Sequence, residues 1–99
     1  MPVEISTDNE TWTVVPRSAK ESAYRVVHRA DGRWVGQATT YERFGGGGEW
    51  FSPFVSVLSA EEACVALVRR MATQIKDKAY LSEVAAAIAA ATGAPPPSE

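Results

Sequence analysis

The sequence predicts an α+β domain: an antiparallel sheet of about three to five strands packed against one or two C-terminal helices. Three observations carry this. β-favouring runs with alternating patterning, separated by turn-forming tetrapeptides, fill the N-terminal half. From Ser59 onward the apolar spacing changes to three and four residues, the period of a helix face. The chain has 99 residues, enough for a single core. One domain is expected over residues 1–93, followed by a proline-rich tail over 94–99.

The elements follow in order. VEIS (3–6) and TWTVV (11–15) flank TDNE, a turn-rich tetrapeptide, and read as a short hairpin or two edge segments. Pro16 has no amide hydrogen to give to a ladder and ends the second strand. AYRVVHR (23–29) and RWVGQATTYERF (33–44) flank ADGR, whose Asp-Gly pair accepts the positive φ of a hairpin turn. Alternation puts Trp34, Gly36 and Ala38 on one side of the second of these strands and Val35, Gln37 and Thr39 on the other. Alternation leaves open which of the two sets faces the core, although the small Gly36 and Ala38 would suit a face that a helix covers closely.

A fifth strand is expected over residues 55–58, with Pro53 keeping its start at an edge or bulge. SAEE then opens a helix: Ser59 can accept from the backbone three residues on, and Glu62 can reach back. Cys64, Leu67, Val68, Met71 and Ile75 form its buried stripe. An unbroken helix over residues 60–92 would be about 50 Å long, more than this domain should span. A break is therefore expected near residues 77–82, with Ser82 capping a second helix over 83–92 and Gly93 ending it.

Composition narrows the function. The formal net charge of -2 is unlike a general nucleic-acid binder. Charge is nevertheless uneven: residues 1–16 hold three acidic and no basic side chains, residues 17–43 six basic and three acidic. Such a field steers partners. Cys64 is the only cysteine, which excludes an internal disulfide and a cysteine cage for a metal. The opening MPVEISTDNE has neither a basic stretch nor an apolar run, and VAAAIAAATG falls short of the ~20 residues of a membrane span, so a cytoplasmic setting is expected.

Catalysis is not expected, nor is a cofactor. His28 stands alone mid-strand without ligand or triad spacing, Cys64 lies on a buried stripe, and the adjacent Glu61 and Glu62 diverge around a helix. FGGGGEW does not run into a helix and is followed by an acid, unlike a phosphate-cradling loop. Four glycines beside Phe44, Trp50, Phe51 and Phe54 instead suggest an adaptable loop with large anchors. The expected protein-binding residues are Glu42, Phe44, Gly46, Glu49, Trp50 and Phe51, in a monomer or homodimer.

The order of a strand hairpin around ADGR, another strand and then SAEEACVALVRRM resembles the layout of some phage-encoded anti-CRISPR inhibitors, over roughly residues 23–76. The resemblance is architectural and carries no signature residue. It implies an inhibitor that docks on a CRISPR surveillance complex in the host cytoplasm and blocks target-DNA binding. YRVVHRADGRWVGQ followed by SAEEA is also similar to ethylene-response-type and integrase arm-binding domains. That likeness implies a DNA-binding sheet, with Arg25, Arg29, Arg33, Trp34 and Arg43 as base and phosphate contacts.

Overall fold

The computed structural model describes residues 3–18, 21–39 and 53–95. The elements run β1 (Ile5–Thr7), β2 (Thr11–Val14), β3 (Tyr24–His28), β4 (Trp34–Ala38), β5 (Val55–Val57), α1 (Ala60–Met71) and α2 (Lys78–Thr92). The strands pair antiparallel in chain order, β1-β2-β3-β4-β5, and both helices follow the sheet. The α+β class read from the sequence is therefore the class adopted.

Local chemistry sets each turn. Asp8 and Thr11 exchange two backbone hydrogen bonds, of 2.9 and 3.0 Å, around Asn9 and Glu10. Both central residues have positive φ, 46° and 61°, as a two-residue hairpin loop of right-handed twist requires. Asn accepts that conformation readily; Glu10 does so at a steric cost. Between β3 and β4 the loop is three residues long. Gly32 donates to the Arg29 carbonyl at 2.9 Å, Arg29 donates to the Arg33 carbonyl at 2.8 Å, and Gly32 alone takes positive φ, 88°.

Register fixes the faces. Tyr24 lies opposite Ala38, Val26 opposite Gly36 and His28 opposite Trp34. Trp34, Gly36 and Ala38 thus share the helix-facing side with Tyr24 and Val26. α1 packs on β3, β4 and β5, and α2 on β1 and β2. Val14, Val26, Leu67, Met71, Val84 and Ile88 are sealed between these layers. Each contributes roughly 1.5–3 kcal/mol by leaving water.

Ser59 caps α1 by accepting from the Glu62 amide at 3.2 Å; the return bond from the Glu62 carboxylate is absent among the described residues. The break between the helices comes earlier than the sequence suggested. α1 stops at Met71, Ile75 tucks into the core, and Asp77 caps α2 by accepting from the Tyr80 amide at 3.1 Å. Ser82 is not a cap but an exposed residue inside α2. Starting at Lys78 lets Tyr80 and Leu81 join Val84 and Ile88 on the buried side, which a start at 83 would forfeit. Gly93, with φ 80°, ends α2 as expected.

Candidate binding site

The protein-binding residues expected from the sequence, Glu42, Phe44, Gly46, Glu49, Trp50 and Phe51, lie outside the described residues, as does Arg43. Of that aromatic group Phe54 is described. It sits half-buried against the core just ahead of β5, with its amide donating to the Gly36 carbonyl at 2.9 Å and the Arg70 guanidinium 5.4 Å from its ring centre.

The arginines proposed as nucleic-acid contacts separate from Trp34. Strand alternation places Arg25, Arg33 and Gln37 on the side away from the helices. There Arg25 Nε donates to Gln37 Oε1 at 2.8 Å and Arg33 Nε donates to Ser56 Oγ at 2.8 Å. Desolvation pulls the Arg25 guanidinium below its ordinary range. Arg29 is exposed at the end of β3. Trp34 points to the opposite side, where it stacks on His28 at 4.1 Å and on Trp12 at 5.5 Å between ring centres. It lies on the face opposite Arg25 and Arg33, and its ring fills one end of the helix-facing side.

The lone histidine is part of the same assembly. Its amide donates to the Glu10 carbonyl at 2.9 Å, and ring Nδ1 lies 2.7 Å from a Glu10 carboxylate oxygen. The bond between the two side chains holds the ring in place against Trp34. Cys64 is buried, which pushes its thiol above the ordinary range, only partly offset by the Thr92 hydroxyl 3.4 Å away. A thiol so placed behaves as a small hydrophobe.

An apolar groove of about 920 Å³ runs along α1. Val55 and Val57 line it from the sheet, Ala85 and Ala89 from α2. Val65 in its wall is 42% exposed, and Leu58, one residue before the α1 cap, is 73% exposed. Glu61 and Glu62 stand at one end of the helix, Arg69 and Arg70 at the other. Large exposed apolar side chains rimmed by charge mark contact surfaces.

Sequence reading missed Leu58 and Val65. The sequence pattern places Leu58 at the end of a strand, whereas β5 stops at Val57. Val65 carried a signal: it falls outside the stripe of Cys64, Leu67 and Met71, and an apolar side chain on the outward side of a helix asks for a cover.

No protein-family model matches the chain, and neither a curated protein nor a solved structure is significantly similar to it. Among the described residues no helix is long and apolar enough to cross a membrane.

Proposed function

We propose that this domain is a non-enzymatic protein-interaction module that works through the exposed side of α1. The observation that carries the reading is the apolar groove bearing Val65, with Leu58 exposed at its helix's head. The residues that chemistry would need are committed elsewhere: His28 to Glu10 and Trp34, Cys64 to the core. A charged side chain at position 65 should abolish partner capture while leaving the fold intact, since the native side chain is already partly in water. Capture of a specific partner that proceeds equally with Val65→Asp and Leu58→Asp would end the reading.

A finer version, an inhibitor that docks on a CRISPR surveillance complex in the cytoplasm, rests on the order of sheet and helix alone. Its test is direct. Purified protein should lower target-DNA binding by such a complex, and no change over a panel of complexes rejects it.

A second reading has its own support. Arg25, Arg33 and Gln37 share a sheet side on which no described helix packs, a composition suited to nucleic acid. Duplex retardation that weakens steeply as salt rises is the expected sign. Absence of retardation at low salt discards it.

A further inference from the structure

Resting on the α1 reading, we propose that the protein occupying this face is a second copy of the same chain, packed antiparallel across a twofold axis at Val65. The pattern along the helix is self-complementary. Ala63, Cys64, Leu67 and Met71 are buried, so the opposite side of α1 carries Glu62, Val65 and Arg69 outward, with Leu58 exposed ahead of the cap. Val65 stands four residues after Glu61 and four before Arg69. An axis through Val65 therefore brings each Glu61 over the Arg69 of the other copy. Isologous contacts of this kind are the commonest route to a homodimer.

The charges have no other satisfaction within the helix. Pairs on one helix form at three or four residues. The neighbours four residues after Glu61 and Glu62 are Val65 and Ala66, and the same two stand four residues before Arg69 and Arg70. Among the described residues none of these four charges makes an ion pair. The helix dipole alone accounts for acids first and bases last. It does not account for the exposed apolar side chains set between and ahead of them. A copy of the same surface answers both.

The contact is small. Twelve residues make α1 about 18 Å long, so the interface belongs to the class below about 1,200 Å² and its association is weak.

Sedimentation equilibrium of the whole chain from about 10 μM to about 1 mM, at low salt, tests it. The expected mass rises from one chain toward two, and added salt opposes the rise. Glu61→Arg with Glu62→Arg, and separately Arg69→Glu with Arg70→Glu, should each raise the dissociation constant at least tenfold, to judge from like charges facing at an interface (roughly 1.4 kcal/mol per decade). An equimolar mixture of the two variants should associate again, because every cross-contact then has opposite sign. If either variant loses its fold by circular dichroism, Cys64→Ala with Val65→Cys replaces it. The new thiols meet on the axis, and a symmetric covalent dimer forms on oxidation. A single-chain mass at every concentration overturns the proposal, as does a dimer indifferent to the charge reversals or a mixture no better than its parts. A single-chain mass combined with Val65-dependent capture of another protein overturns self-association but spares the interaction module; loss of both removes both.

Discussion

The ring of Phe54 occupies the space that a side chain on Gly36 would need. A Cβ built on Gly36 falls 2.7 Å from the tip of the Phe54 ring and 3.0 Å from a methyl of Val55. The glycine in mid-strand is thus explained by the close approach of a neighbour.

Gly36→Ala should cost about 1–3 kcal/mol, because the ring or the strand must shift. Phe54→Ala in the same chain should relieve most of that added cost. Urea unfolding of the two single variants and the double measures the coupling, and strict additivity would refute the contact.

Position 10 offers a comparison of two small residues. Glu10 holds φ 61° in the β1–β2 turn. Both Glu10→Ala and Glu10→Gly delete the carboxylate that holds the His28 ring. Only glycine also removes the left-handed strain, so it should be the more stable of the two by about 1 kcal/mol. Equal melting temperatures would mean the turn has another shape.

Tyr80 Oη is buried without a hydrogen-bond partner among the described residues, while the Arg17 guanidinium lies 3.9 Å from the ring centre. Tyr80→Phe keeps the ring and deletes the unsatisfied hydroxyl, so it should match the parent or gain up to about 1 kcal/mol near neutral pH. A loss greater than that in thermal or urea unfolding would show that the hydroxyl has a partner.

Alkaline pH should destabilise the fold. Burial raises the phenols of Tyr24 and Tyr80 and the thiol of Cys64 above their ordinary values. The folded chain therefore holds these protons more tightly than the unfolded one. The stability they contribute is complete below the unfolded values, about 8.5 for the thiol and about 10 for the phenols, and is lost as pH rises past them. Melting temperatures from pH 8 to about 11 should fall, and Tyr80→Phe should lessen the fall. A flat profile would contradict it.

Asp77→Ala should cost about 1 kcal/mol through loss of the α2 cap, whereas Ser82→Ala should stay within about 0.5 kcal/mol. Helix content and melting of the two variants decide between these starting points. A larger effect at Ser82 would restore the later start.

The contrast between Asp77 and Ser82 shows where the sequence was readable. Strands, hairpins and the first cap were legible because each rests on neighbours in the chain: Asp-Gly at a turn, Pro16 at a strand end, Ser59 before Glu62. The start of α2 was not, because KDKAYLSE holds two plausible caps. The choice was made by Tyr80 and Leu81 reaching a core built by distant strands. The face of Trp34 was hidden for a similar reason. Alternation gave two possible faces, and only pairing with His28 and cover by the helices selected one. The α1 face was half visible in Val65, but its apolar walls come from β5 and α2, which no local pattern brings together.

The strand order also bears on how the molecule comes into being. Among the described residues every ladder joins strands consecutive in the chain, so the sheet can assemble progressively as the polypeptide emerges from the ribosome. The apolar side of the first hairpin nevertheless has to wait for α2, its cover, which follows all five strands in the chain. Until α2 emerges, the nascent chain carries an uncapped surface, and a chaperone would find its work there.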